Sequence, residues 1–256
     1  MIQQLVPVVS NREVMPGVFL MLIESPDLAS QSRPGQFAMI TCDSGQSRLL
    51  RRPISIHRVN SPAVAFLFAA VGPGTEWLAR RQAGEKIDLL GPLGNCFDLG
   101  QAPSSLLLAG GGIGVAPLCF LAQEALHKGH RVCLLIGART RSQVIPNSLI
   151  PPGCEVAVAT EDGSAGEKGL ITALLPRYIN KAGRAYICGP LPMYQAIMKD
   201  RRAFLGDLPA EVSLEVRMGC GLGFCYACTI KTTQGLKQVC KDGPVFDLDR
   251  IAWDEL

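Results

Sequence analysis

Four of the ten cysteines in this 256-residue chain lie between positions 220 and 240, spaced Cys220-x4-Cys225-x2-Cys228-x11-Cys240. An even spread would leave fewer than one in such a window, so the tail must be built around these thiols. The spacing matches the plant-type arrangement in which four thiolates hold a [2Fe–2S] cluster. Gly219, Gly221, Gly223 and Ala227 stand among the first three cysteines, so the backbone can wrap closely and aim N–H groups at the sulfurs. Soft ligands also suit a structural zinc, but ribbon-type zinc sites present two C-x2-C pairs and this segment has one. Unligated core cysteines are the remaining alternative.

The other six cysteines, Cys42, Cys96, Cys119, Cys133, Cys154 and Cys188, are scattered singly. Met1–Leu5 lacks the basic start and apolar stretch of a signal peptide, and no run of about 18 apolar residues occurs. The expected location is the cytoplasm, with no membrane partner, where a reducing environment turns thiols toward metal and redox work. Lysine and arginine number 25 against 22 acidic residues, a net charge of +3 with no basic run. That balance gives no clustered cationic face, so no nucleic-acid partner is expected.

Hydrophobic residues at 48% and charged residues at 18% exclude a disordered chain. Residues 1–102 read as short apolar runs, Val18–Ile23, Gln36–Thr41, Ile54–Val59, Val64–Ala70 and Lys86–Leu90, punctuated by turn residues such as Pro34-Gly35 and Ala83-Gly84. This is the grammar of an antiparallel β-barrel or sandwich. From 103 to 216, strands alternate with helices, the mark of a Rossmann-like parallel α/β sheet. Its strands are Ser105–Ala109, Val132–Ile136, Glu155–Ala159, Ala185–Cys188 and Val212–Val216, with helices at Ala116–Lys128, Ile171–Leu175 and Leu191–Phe204. Past Arg217 the periodicity stops, and residues 217–256 form a small third module holding the cysteine cluster.

Within the second region, Gly110, Gly111, Gly112 and Gly114 follow an apolar strand and open a helix carrying Pro117 in its first turn. Free N–H groups behind such a turn bind a pyrophosphate. The strict G-x-G-x-x-G is absent because position 115 is valine, and no acid follows at the usual distance to hold a ribose. The second strand ends instead in Arg139 and Arg141, which favour a 2′-phosphate. A glycine turn serving only close packing is the bland reading. Farther on, Cys188, Gly189 and Pro190 end a strand at the carboxyl edge of the sheet, where ligands of open α/β folds bind. There Cys188 either touches a nicotinamide ring as a catalytic thiol or is simply buried.

In the barrel, Arg52, Pro53, Ile54 and Ser55 join a cation and a hydroxyl at a strand start, suited to a diphosphate and a flavin edge. Gly74 and Thr75 read as a second anion seat, with Thr75 as the N-cap of a short helix. Two anion seats imply two dinucleotides.

Arg-Pro-x-Ser and Gly-x-Gly-Thr in the barrel, followed by Gly-Gly-x-Gly-x-x-Pro and Cys-Gly-Pro, resemble the ferredoxin–NADP reductase superfamily over residues 1–216. With Glu215-Val216-Arg217-Met218-Gly219-Cys220 and Val239-Cys240-Lys241-Asp242-Gly243-Pro244-Val245-Phe246 added, the whole chain resembles the electron transfer subunits of type B dihydroorotate dehydrogenases. The resemblance implies FAD at Arg52, Pro53, Ile54, Ser55, Leu67, Phe68, Ala69, Gly74 and Thr75, and NAD(H) as co-substrate of the glycine turn. It implies [2Fe–2S] ligation by Cys220, Cys225, Cys228 and Cys240. It further implies an FMN-containing catalytic subunit as partner, in a heterotetramer of two of each, with electrons passing from FMN through the cluster and FAD to NAD+ during pyrimidine biosynthesis. Alternatives are the flavin subunit of a ferredoxin-linked transhydrogenase, hydrogenase or sulfide dehydrogenase, or a zinc-stabilised nucleotide-binding or sensing protein.

Overall fold

The structure is a computed structural model that describes residues 1–42, 50–102 and 104–256. Pro103, the first residue of the expected second region, lies outside the described residues.

Six strands close an antiparallel barrel: β1 (Ile2–Met15), β2 (Val18–Glu24), β3 (Phe37–Ile40), β4 (Arg52–Asn60), β5 (Ala63–Ala69) and β6 (Lys86–Leu93). Their order is β1-β2-β5-β4-β3-β6, and Met21, Ile23, Ile40, Ile56, Phe66, Ile87 and Leu89 fill the interior. The sequence pattern does not announce β1. Leu5, Pro7 and Val9 face outward while Val6 and Val8 face inward, so both faces are apolar and the alternation that marks a strand vanishes. Two short helices cross the barrel ends, α1 (Pro26–Gln31) and α2 (Pro73–Ala79).

The second sheet places β7 (Ser105–Gly111), β8 (Arg131–Ala138), β9 (Glu155–Thr160), β10 (Glu167–Lys168), β11 (Arg184–Cys188) and β12 (Ala210–Ser213) in the order β10-β9-β8-β7-β11-β12, all parallel. Connections run outward in both directions from β7, so the carboxyl ends of β7 and β11 flank a topological switch point. Helix α3 (Val115–His127) packs between this sheet and the barrel and is almost wholly buried. At that seam His57 Nδ1 donates to the Ala116 carbonyl at 3.0 Å and Arg58 donates to the Leu149 carbonyl at 2.6 Å. Beyond α4 (Leu175–Tyr178), the expected helix Leu191–Phe204 divides into α5 (Leu191–Lys199) and α6 (Arg201–Leu205). The break is at Asp200, whose non-helical backbone frees its carboxylate to cap α6 by accepting from the Ala203 N–H.

The tail forms a hairpin of β13 (Thr229–Thr232) and β14 (Gly235–Gln238), a turn of helix α7 (Val239–Asp242), and β15 (Val245–Asp247). Strand β15 pairs antiparallel with β12 and becomes the seventh strand of the second sheet. Cys228, Ile230, Cys240, Ile251 and Trp253 share one core with Ile187, Val212 and Tyr194, and Trp253 stacks on Tyr194 at 4.9 Å. The expected strand Val212–Val216 ends early, at Ser213. There the chain leaves the sheet, held last by the Leu214 N–H donating to the Pro244 carbonyl.

Candidate functional site

A cavity of about 760 Å³ opens between the barrel and the tail. Its barrel wall contains Arg52, Pro53, Ile54, Ser55, Leu67, Phe68, Ala69 and Thr75, eight of the nine residues that the resemblance connects with FAD. Arg51 is tied to Asp88 at 2.7 Å, whereas Arg52 has no carboxylate partner among the described residues and donates only to the Leu50 and Arg51 carbonyls. Of two adjacent cations, one is thus neutralised and the other has no acidic partner among the described residues. The Ser55 hydroxyl likewise makes no hydrogen bond among the described residues. Gly74, the ninth residue, does not line the cavity. A Cβ there would lie 2.9 Å from Arg52 Nε, so its bare backbone lets the guanidinium lie against α2. Thr75 is not an N-cap: Gly72 takes that place, and Thr75 Oγ1 accepts from the Val71 and Gly72 N–H groups at 3.0 and 3.3 Å. Pro73 sets the helix start three residues earlier than the side-chain pattern suggests.

The opposite wall is the stretch Ser213–Met218, with Pro244. Glu215–Met218 belong to the pattern that runs into the cysteine loop, and nothing local in the sequence gives them a role. A lone acid inside the apolar run Val212–Val216 was the available signal.

A second cavity, about 700 Å³, lies over the switch point. Gly111, Gly112, Gly114, Gly189 and Pro190 line it, and Gly110 does not, because it packs on Val115. Gly114 is required by close approach, since a Cβ would overlap the Cys188 carbonyl oxygen. Cys188 itself is buried and lines neither cavity; burial pushes its thiol well above the usual range. It forms the wall behind the turn. Of the two arginines after β8, Arg139 lines the cavity, whereas Arg141 donates to the Ser164 carbonyl. The acid missing from the end of β8 comes from the neighbouring strand, as Glu161 just past β9. The two cavities meet at Ala69, Val71, Ile113 and Glu215, the residues common to both linings.

The four clustered cysteines gather in pairs, Cys220 beside Cys225 and Cys228 beside Cys240. The Leu222 and Phe224 N–H groups each donate to Cys220 Sγ at 3.3 Å, and the Cys240 N–H to Cys228 Sγ at 3.4 Å. Burial opposes ionisation of Cys220, but the N–H donors of Leu222, Cys225 and Phe224 outweigh it and bring the thiol down to about 6. Burial and the adjacent Cys228 push Cys240 up to about 12. Gly221, at φ 74°, presses the loop onto the barrel so tightly that a Cβ would meet the Met39 side chain at 2.5 Å. The chemistry of this thiol-only donor set, with left-handed glycines and backbone donors around it, suits an iron–sulfur cluster, while among the described residues the side chains stand in pairs and no three are grouped to hold a metal ion.

The barrel, the switch-point sheet and the cysteine loop beyond them define a ferredoxin-reductase fold with an added thiolate module. Residues 215–252 match the family described as the iron-sulfur cluster binding domain of dihydroorotate dehydrogenase B. The chain is 40% identical over 252 residues to the dihydroorotate dehydrogenase B (NAD(+)) electron transfer subunit of Desulforamulus reducens, covering 94% of this chain and 95% of that one. It is 38% identical over 256 residues to the Bacillus mycoides counterpart, covering 95% and 96%. A chain solved in a study of an NADH-dependent reduced ferredoxin-NADP oxidoreductase superposes with TM-score 0.88 at 29% identity, covering 98% of this chain and 91% of that one. A ferredoxin NADP+ reductase from Neisseria gonorrhoeae shares the fold, with TM-score 0.65 at 18% identity over 83% and 99% of the two chains. The chain belongs to the family of dihydroorotate dehydrogenase B electron transfer subunits, whose name implies a separate catalytic subunit. Among the described residues, no helix is long and apolar enough to cross a membrane.

Proposed function

We propose that this chain carries electrons between a catalytic partner and NAD+ through a [2Fe–2S] cluster held by Cys220, Cys225, Cys228 and Cys240 and an FAD held in the barrel-side cavity. The observation that carries this reading is the shared wall: Val216, Arg217 and Met218, which run into the cysteine loop, line the same cavity as Arg52–Ser55 and Leu67–Ala69. When bound, the cluster supplies one-electron transfer and the flavin converts that to two-electron exchange with nicotinamide.

The chain's own residues have separable tasks. Arg52, without a carboxylate partner among the described residues, binds the diphosphate, and Ser55 offers a hydroxyl to the ring edge. Gly111, Gly112 and Gly114 let a second dinucleotide approach the start of α3, and Glu161 supplies the carboxylate suited to a ribose diol. This favours NAD over NADP. The Cys220 loop lowers the thiolate cost of metal binding through its N–H donors. The substrate side fits an FMN-containing dihydroorotate-oxidising subunit, expected to be a (β/α)8 barrel of about 250 residues, assembled two and two with this chain in the cytoplasm.

Purified with whatever co-elutes, the protein should show flavin absorption near 450 nm with a broad iron–sulfur shoulder (approximate cofactor values), bleached by NADH anaerobically and by dihydroorotate only with the partner present. Colourless protein holding one zinc would overturn the reading. Bleaching by NADPH and a ferredoxin in place of dihydroorotate would move it to the transhydrogenase subunit.

A further inference from the structure

We propose that Glu215 discriminates between the two redox forms of the nicotinamide, holding the cationic ring of NAD+ more firmly than the neutral ring of NADH. This rests on the reading above, in which FAD and NAD(H) occupy the two cavities. Hydride exchange requires the nicotinamide and flavin rings to meet, and the cavities touch only around Ala69, Val71, Ile113 and Glu215. The first three are apolar. Glu215 is therefore the one ionisable side chain at the junction, and its carboxylate has no hydrogen-bond or ion-pair partner among the described residues. Exposed in the open cavities, it stays available to a ligand of opposite charge.

NAD+ and NADH share the same pyrophosphate, riboses and adenine and differ in the charge of one ring. A carboxylate facing that ring binds one form preferentially, whereas every contact elsewhere in the cavity binds both alike. The side chain is exposed to both cavities, and the protein packed around it still disfavours its charged form and raises its carboxyl above the ordinary range. The preference therefore fades as pH falls and Glu215 takes up a proton. Its ionisable neighbours do not mask this. Cys188 at the end of β11 and Tyr194 on α5 are held protonated by burial. Arg51, Arg52 and Arg217 line the flavin side and Arg139 the nucleotide side, where Glu161 is the other carboxylate.

The test is calorimetric binding to the oxidised, cofactor-loaded protein of NAD+ and of 1,4,5,6-tetrahydro-NADH, a neutral analogue with no hydride to give. Glu215→Gln should shrink the preference for NAD+ over the analogue about three- to tenfold, the scale of one charge pair in a partly hydrated cavity. Glu215→Asp should retain most of it, and in the unsubstituted chain it should decline as pH is lowered from 8 and the carboxyl takes up its proton. An unchanged ratio in Glu215→Gln, or an equal change in both affinities, overturns the inference while leaving the functional reading intact. Failure of both nucleotides to bind the flavin-loaded chain overturns the reading, and this inference with it.

Discussion

The two cavities differ little in size, about 760 and 700 Å³, but the chain builds them in different ways. The nucleotide-side cavity is largely a product of one sheet: the ends of β7, β8, β9 and β11 bring Gly111, Gly137, Glu161 and Gly189 together because parallel strands all finish on the same edge. The flavin-side cavity has no such guarantee. It needs residues 50–55 and 67–75 of the barrel to face 213–218 and Pro244 of the tail, and that closure depends on how the tail is pinned. Strand β15 pins it to β12. From the barrel, Asn95 donates to the Asp242 and Val245 carbonyls, accepts from the Val245 N–H, and gives its own N–H to the Gly243 carbonyl at 2.7 Å. One site follows from topology and the other from long-range fastening, so the second should be easier to damage selectively.

The most severe break is Cys225→Ser. Cys225 is exposed, so the fold should survive, while iron and acid-labile sulfide fall to background. Electron delivery to the partner should drop by more than the roughly 10–100-fold that loss of an outer-shell partner costs a metal site. Flavin content and NADH-driven flavin bleaching should persist, which separates tail from barrel. A full iron and sulfide content would remove Cys225 from the ligand set.

Acid acts on the seam between the barrel and α3. Burial lowers His57 to about 4 from 6.5, against the raising effect of its bond to Ala116. Because the carbonyl can only accept, Nδ1 carries the proton, and Nε2 has no partner among the described residues. The unfolded chain takes up a proton near pH 6.5 that the folded chain resists. Stability is therefore whole above pH 6.5 and declines as pH falls toward 4, by about 3 kcal/mol in total. Urea unfolding at pH 7.5 and 4.5 should show His57→Gln losing less stability over that interval than the unsubstituted chain; equal losses would mean the seam does not titrate.

How much of this was readable beforehand follows the same division. Gly111, Gly112, Gly114, Gly189 and Pro190 sit within short motifs whose physics is local, and the structure sets them around one cavity. Glu161 was not readable, because its partner strand β8 is adjacent in the sheet but more than twenty residues away in the chain. Strand β1 was hidden by apolar residues on both faces. The tail was misleading in a different way: Val245–Asp247 looks like irregular chain after a cysteine loop, and only pairing with β12 makes it a strand. Arg51 and Arg52 are indistinguishable in sequence, and the Asp88 ion pair that tells them apart spans 37 positions.

Arg52→Ala should lose a charge-assisted contact worth about 1.5–3 kcal/mol, seen as roughly ten- to hundredfold weaker flavin retention on gel filtration, with NAD+ affinity of the remaining flavin-loaded fraction unaltered. Unchanged flavin content would make Arg52 a solvated strand start and nothing more. The smallest effect is also the most selective. Asn95→Ala removes three side-chain hydrogen bonds to the tail in a partly exposed turn, a cost of about 1–2 kcal/mol, without touching either cavity. Flavin should dissociate severalfold faster because its outer wall opens more often, while the nucleotide cavity, fixed by strand ends, keeps its affinity. Should nucleotide binding weaken in step with flavin loss, the tail would be holding the sheet edge as well as the barrel, and the two cavities would share one fastening.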